Sequence, residues 1–247
     1  MVFIHGFPLR RILWEPQLRG LGQRCRCIAP DLRGFGESEV RGPYSMDRYA
    51  DDVVELLDAL SIPRAVIVGH SMGGYVTFAL WRRHPDRVSG LVLTDTRPRA
   101  DDEAGLAKRR DMMRAAREHG SGAVADAMID GMLGRSTRRR CPELVQDVHA
   151  MLASAPVEGV IGAIEAMMAR PDSVATLPSI DVPTLIVVGE EDAITPVRDS
   201  EAMGAAIAGS RLEIIPGAGH MASLERPAAF NAVLGEFLDG LSGGAGD

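Results

Sequence analysis

The chain has little from which to build a covalent or metal-held scaffold. Three of its 247 residues are cysteine, at positions 25, 27 and 141, and an odd count argues against a disulfide framework. Cys25 and Cys27 fall in a segment that reads as a strand. There their side chains would point the same way but sit about 6.5 Å apart along the chain, too far for a disulfide. No C-x-x-C pairing and no H-E-x-x-H is present, so no metal site is expected, and no motif asks for a cofactor. No apolar stretch approaches the ~18 residues of a membrane span, and no leader is read before the first strand. The expectation is therefore a chain with no membrane partner, located in the cytoplasm. Positive charge is also scarce: 27 Lys and Arg stand against 34 Asp and Glu, for a net charge of −7. That balance favours solubility and argues against nucleic acid as a partner. Lys108 is the single lysine, which reads as genome composition bias rather than chemistry.

What is present is ordinary for a globular protein, at 46% hydrophobic and 25% charged residues. The length suits one large α/β domain with an inserted subdomain, long enough to bury a sizeable core. Short apolar runs at 2–5, 26–29, 65–69, 90–94, 184–189 and 211–215 alternate with helical patterns. That alternation signals parallel βαβ units and predicts a six-stranded parallel sheet. Tyr49, Val53, Leu56, Leu57 and Leu60 recur at helical spacing, as do Phe230, Val233, Leu234, Phe237 and Leu238. The Gly-rich residues 240–247 are expected to fray. Residues 99–175 contain no good strand and carry helical stretches rich in Ala, Met and Arg. They divide the chain into a core of 1–98 and 176–247 and a helical cap of 99–175 that should close over the site. Seven of the twelve methionines lie in this segment (Met112, Met113, Met128, Met132, Met151, Met167 and Met168). They serve either as core packing or as the lining of a flexible apolar pocket. Arg138, Arg139 and Arg140 form either a solvated face or a site for a substrate carboxylate.

The chemistry-bearing motifs follow strands. Gly69-His70-Ser71-Met72-Gly73-Gly74 comes directly after Ala65-Val66-Ile67-Val68. A G-x-S-x-G between a strand and a helix is the setting of a nucleophile elbow. Its turn strains the central residue, and glycines two before and two after leave room for the crossing helix and strand. A serine hydroxyl needs a neighbouring base, and an imidazole with a pKa near ~6.5 suits both accepting and returning the proton. His220, in Gly217-Ala218-Gly219-His220, follows the run at 211–215. Asp192, after Gly189-Glu190-Glu191, follows the run at 184–189 and would bond the far ring nitrogen and fix the tautomer. Glu190 and Glu191 compete as neighbouring acids, and Asp95 is a second acid at a strand end. Near the N-terminus, Val2-Phe3-Ile4 leads into His5-Gly6-Phe7-Pro8.

With four motifs in register from Val2 to Leu238, the chain resembles the α/β-hydrolase superfamily, whose triad runs in the chain order Ser, acid, His. The resemblance implies a mostly parallel sheet flanked by helices, with a helical cap. It makes Ser71, Asp192 and His220 the catalytic residues, with backbone N–H groups of Phe7 and Met72 as the oxyanion hole. By the same resemblance His5 organises the oxyanion loop, and Asp31-Leu32-Arg33-Gly34-Phe35-Gly36-Glu37-Ser38 is scaffold. His70, His84, His119 and His149 are read as structural or surface residues. Haloalkane dehalogenases and epoxide hydrolases resemble the chain but carry Asp at the elbow. Ser71 instead points to acyl transfer to water on a small-molecule ester or lactone. Serine esterases lead, beside 3-oxoadipate enol-lactonases and cofactor-free perhydrolases, the last kept open by Pro8. A non-catalytic binding module is the rival class. The family places two strands ahead of the one ending in His5-Gly6, and neither is seen here. Their absence would leave 26–29 as an open sheet edge, covered by a second copy of the chain in a homo-oligomer or left exposed. The triad should survive either way.

Overall fold

The structure, a computed structural model, describes residues 1–243. Five strands, β1 (Val2–Ile4), β2 (Ala65–His70), β3 (Val88–Thr94), β4 (Thr184–Gly189) and β5 (Arg211–Ile215), lie side by side in that order. Every neighbouring pair is parallel. Strand residues alternate between two buried clusters. Ile4, Ile67, Leu91, Leu93 and Ile186 enter one, and Phe3, Val66, Val68, Val92, Leu185 and Val187 enter the other. Strands β1 to β4 are covered on both faces, which is why they read as largely apolar runs, whereas β5 at the sheet edge is partly exposed and carries Arg211 and Glu213.

The helices supply the two covers. In chain order they are α1 (Glu15–Leu21), α2 (Met46–Ala59), α3 (Met72–Arg83), α4 (Glu103–Met132), α5 (Arg135–Arg140), α6 (Pro142–Ala153), α7 (Val157–Ala169), α8 (Val197–Ala206), α9 (Ala222–Glu225) and α10 (Pro227–Gly243). Tyr49, Val53 and Leu57 of α2 join Val76, Phe78 and Leu80 of α3 and Met203 of α8 on one face. Trp14, Leu21 of α1, and Phe230 and Leu234 of α10 cover the other. The Ser45 side chain caps α2 by accepting the Arg48 N–H at 2.9 Å, and Asp102 caps α4 by accepting from Gly105 at 2.8 Å. Among the described residues no single helix is long and apolar enough to cross a membrane.

Two expectations are corrected. The sheet has five strands rather than six, because 26–29 makes only one bridge, Val2 to Ile28. Ile28 donates to the Met1 carbonyl at 2.9 Å and accepts from the Phe3 N–H at 2.8 Å. Pro30 then ends the pairing, having no N–H to give. Because the segment is not an extended strand, the Cys25 and Cys27 sulfurs come within 3.5 Å, closer than strand spacing allows. Helix α10 also continues through Gly243, so 240–243 are helical; the rest of the tail expected to fray, 244–247, lies outside the described residues.

Residues 99–175 carry α4 to α7 and no strand. Gly120, at φ 79°, breaks α4 into two helical pieces. The two ends of the segment are clasped. Both Asp101 oxygens accept from Arg170, at 2.9 and 3.0 Å, with side chains 1% and 3% exposed. Arg97 and Arg109 also donate to Asp101, at 2.7 and 3.1 Å. Arg170 reaches the Met167 and Arg99 carbonyls as well, and its guanidinium lies 4.2 Å from the centre of the Tyr75 ring on α3. Burial alone would raise the Asp101 carboxyl, but hydrogen bonds and charge from Arg170 and Arg109 hold it well below the usual carboxylate range.

Removing one partner of a buried ion pair strands the other, at a cost of about 3–5 kcal/mol. Asp101→Asn should therefore lower the unfolding free energy by that order, read by urea denaturation at pH 7. A folded carboxyl held below its unfolded value contributes above the unfolded pKa and loses that contribution as pH falls. The gap between wild type and variant should accordingly be full at pH 7 and narrow below about 3.9, the ordinary aspartate value.

Candidate active site

Strand β2 is followed by a residue whose conformation the backbone disfavours. Ser71 sits at φ 52° and ψ −112°, in the left-handed half of the map. Three bonds pin it there: its N–H donates to the Thr94 carbonyl at 3.0 Å, and its own carbonyl accepts from the Gly74 N–H at 2.9 Å and the Thr96 hydroxyl at 2.7 Å. Helix α3 starts at the next residue and crosses β1 closely. A Cβ on Gly73 would stand 2.3 Å from the Ile4 carbonyl oxygen, so the elbow needs glycine there. Local strain held by surrounding contacts is a common mark of functional positions.

The loops after β4 and β5 converge on this serine. His220 Nε2 is 2.9 Å from Ser71 Oγ, and His220 Nδ1 is 2.9 Å from Asp192 Oδ2. The carboxylate is fully engaged. Its Oδ1 accepts from the Ile194 and Thr195 N–H groups at 2.8 and 3.0 Å, and its Oδ2 accepts from the Thr195 hydroxyl at 2.6 Å. With Nδ1 against a carboxylate, the ring carries its hydrogen there and presents Nε2 as an acceptor to the serine O–H. His220 is 2% exposed. Burial works against its charged form, yet the Asp192 charge and hydrogen bond outweigh it and the pKa is raised. Burial likewise opposes the Asp192 anion, and His220 and Thr195 more than compensate, so that carboxyl is lowered.

A second imidazole braces the first. His70 Nε2 donates to the His220 carbonyl at 2.7 Å, and the two rings lie 5.1 Å apart. Burial, with the His220 charge, pushes His70 down to about 3, so it stays neutral. The His5-Gly6-Phe7-Pro8 turn closes the other side of the serine. His5 Nε2 accepts the Leu32 N–H at 2.9 Å and Nδ1 donates to the Gly6 carbonyl at 2.9 Å. The 5–8 turn is thereby tied to the loop beginning at Asp31, whose carboxylate accepts from Arg11 and from the Glu37 N–H. A Cβ on Gly6 would lie 3.1 Å from Ser71 Cβ. The residue before Phe7 thus abuts the serine, and Met72 follows it in the chain.

The competing acids go elsewhere. Asp95, at φ 46°, accepts from the Gly189 N–H at 2.9 Å and the Thr94 hydroxyl at 2.8 Å. Burial and the nearby Asp192 charge raise its carboxyl well above the usual range. Glu190 accepts from the Gly217 N–H, and Glu191 from Ser136. Of the seven cap methionines, Met132, Met151 and Met167 are buried in the two clusters, and Met112, Met113, Met128 and Met168 pack half-buried against them. Arg138 pairs with Asp130 at 3.1 Å, and Arg139 and Arg140 are exposed. The sequence reading missed Thr195, Thr96 and the brace at His70. Only Thr195 left a local signal, an Asp followed two and three residues on by the N–H groups it accepts.

The family model described as the alpha/beta hydrolase fold matches residues 1–227. The chain belongs to the α/β-hydrolase family. Among solved structures, this α/β hydrolase is similar to a thermophilic esterase from Thermogutta terrifontis (malate bound), with 41% identity, TM-score 0.95, and 97% of this chain and 89% of that one covered. It is also similar to the enol-lactonase from Burkholderia xenovorans LB400, with 30% identity, TM-score 0.89, and coverage of 96% and 90%. Among curated relatives, 3-oxoadipate enol-lactonase 2 of Acinetobacter baylyi is 29% identical over 94% of this chain and 85% of its own length.

The three ring environments predict separate titrations. In nitrogen-detected NMR, His220 should gain its second proton with a midpoint above 6.5, the ordinary histidine value. His5, lowered by burial to about 4, and His70 should still be neutral at pH 6. A His220 midpoint below 6.5 would contradict the Asp192 contact.

Proposed function

We propose that this protein is a serine hydrolase that cleaves carboxylic esters of small molecules through an acyl-enzyme on Ser71. The observation that carries the reading is the unbroken relay from Ser71 Oγ to His220 to Asp192, at 2.9 Å on each side of the imidazole. As Ser71 Oγ attacks the carbonyl carbon, His220 Nε2 takes its proton and the carbonyl electron pair moves onto oxygen. Backbone N–H groups of Phe7 and Met72 hold that oxyanion, one such donor supplying roughly 3 kcal/mol. Collapse expels the alcohol, protonated by the imidazolium, and leaves an acyl group on Ser71. Water then repeats the sequence with His220 as base. Asp192 keeps the ring oriented and stabilises its charged form.

A lactone is a cyclic ester and passes through the same steps. Similarity to two enol-lactonases favours lactone hydrolysis as the second reading. Reading the helical segment as a cap, we infer from its half-buried Met112, Met113, Met128 and Met168 an apolar acyl pocket that favours short to medium acyl chains.

Ser71→Ala should lower kcat on a p-nitrophenyl ester by at least about 10³ with a smaller change in KM; retention of a tenth of wild-type turnover would refute the assignment. Asp192→Asn should cost on the order of 10⁴ in kcat, whereas Asp95→Asn should cost little, since Asp95 bonds the Gly189 amide and not the ring. An organophosphonate probe should label Ser71, which a pure binding module would not permit. Run beside one enol-lactone, p-nitrophenyl butyrate should turn over faster than a dicarboxylate ester. The reverse order would count against the apolar pocket.

A further inference from the structure

Glu225 closes α9 as a buried carboxylate, 6% exposed, and its side-chain partners are main-chain amides. Oε1 accepts from Gly219 at 2.8 Å and from Met221 at 3.3 Å, the residues on either side of His220. Oε2 accepts from Gly134 at 2.9 Å, at the junction of α4 and α5. The two backbones meet so closely that a Cβ on Gly219 would stand 2.2 Å from the Gly134 nitrogen. Two residues further on, Ser136 gives its N–H and hydroxyl to Glu191 at 2.9 and 2.7 Å, and Glu191 adjoins Asp192. The 134–136 junction of the helical segment is therefore bound to both loops that carry the proposed acid and base.

A buried carboxylate without a cationic partner is costly unless its oxygens are filled. Here one is filled by the amides that bracket His220 and the other by the Gly134 amide. Three consequences follow for the His220 side chain. The main chain on both sides of the imidazole is fixed, a negative charge stands behind the ring, and the ring's loop is locked to the helical segment. We propose that Glu225 is a positioning residue for His220, setting the place and proton affinity of the imidazole through the main chain and linking both to the seating of the helical segment. The proposal rests on the serine-hydrolase reading above. The groups facing His220 are Asp192 and Thr195 from the loop after β4, Asp95 from the end of β3, His70 and Ser71 from the end of β2, and Glu225 from α9. Asp192 makes direct contact and dominates. Glu225 adds to it in the same direction, favouring the imidazolium.

The test is E225Q, with E225D beside it. A glutamine oxygen still accepts from Gly219 and Met221, but its NH₂ then faces the Gly134 N–H, donor against donor, and the charge is gone. Rates are expressed per Ser71 site titrated with an organophosphonate, so that loss of folded protein does not count as loss of activity. For E225Q, kcat on p-nitrophenyl butyrate should fall between about 10- and 100-fold, the scale of a misplaced catalytic group, with KM within about twofold. Its acid limb of kcat/KM should move to lower pH, because a charge favouring the imidazolium has been removed. E225D keeps the charge on a shorter arm, so its kcat should fall while its acid limb stays close to wild type. Amide exchange should be slow at Gly134, Gly219 and Met221 in wild type and should quicken at Gly134 in E225Q. Wild-type kcat with an unmoved limb in E225Q, or a limb moved equally in E225D, would overturn the proposal. If E225Q does not fold, fast exchange of those three amides in the wild-type protein would overturn it alone. Failure of wild-type Ser71 to take up the phosphonate would instead sink the hydrolase reading, so the two failures can be told apart.

Discussion

One residue in an unfavourable conformation sets the terms for the rest of the molecule. Ser71 at φ 52° is strained by about 1–3 kcal/mol in general terms, and the fold must over-determine it. The strand before it is paired on both sides in the sheet, the helix after it crosses β1 at van der Waals contact through Gly73, and Thr94 and Thr96 from the neighbouring strand end hold its amide and carbonyl. The apolar packing on both faces of the sheet makes that crossing rigid. The hydroxyl can stand clear of the chain because everything beneath it is packed.

Around this elbow the charge arrangement is graded. Asp192 is ionised by four donors, Asp95 behind it is pushed toward its neutral form, and His70 and His5 are kept uncharged by burial. The only imidazole whose pKa is raised among those shifts resolved is His220, the one facing the serine. Neighbouring groups of identical chemistry are thus driven apart in proton affinity by their surroundings, a pattern that concentrates at functional positions.

Much of this was legible in the chain because the motifs are local. The glycines around Ser71, the runs before Asp192 and His220, and the turn at His5 each need only their own few residues. The α/β-hydrolase fold and the helical nature of 99–175 followed from the alternation of runs and its interruption. Ambiguity entered where several residues satisfied one local rule. Asp95, Glu190, Glu191 and Asp192 all follow strands, and only the tertiary structure distributes them, to Gly189, Gly217, Ser136 and His220 respectively. The segment at 26–29 misled because its composition is strand-like while Pro30 limits it to one bridge. His70 as a brace, and the amides gathered by Glu225 from positions 91 residues and 6 residues away, have no periodic signature at all.

The clasp between Asp101 and Arg170 has a bearing on how such chains diversify. It brings the entry and exit of the long helical segment to a single point and anchors that point on Tyr75 of the helix that begins at the elbow. A loop whose two ends are welded together imposes no strain on its host when its contents change. Helices between 103 and 169 can then change away from the 134–136 junction, the second point at which the segment is tied to the frame. Changes in the rest of the segment are thereby kept from reaching the conformation of Ser71.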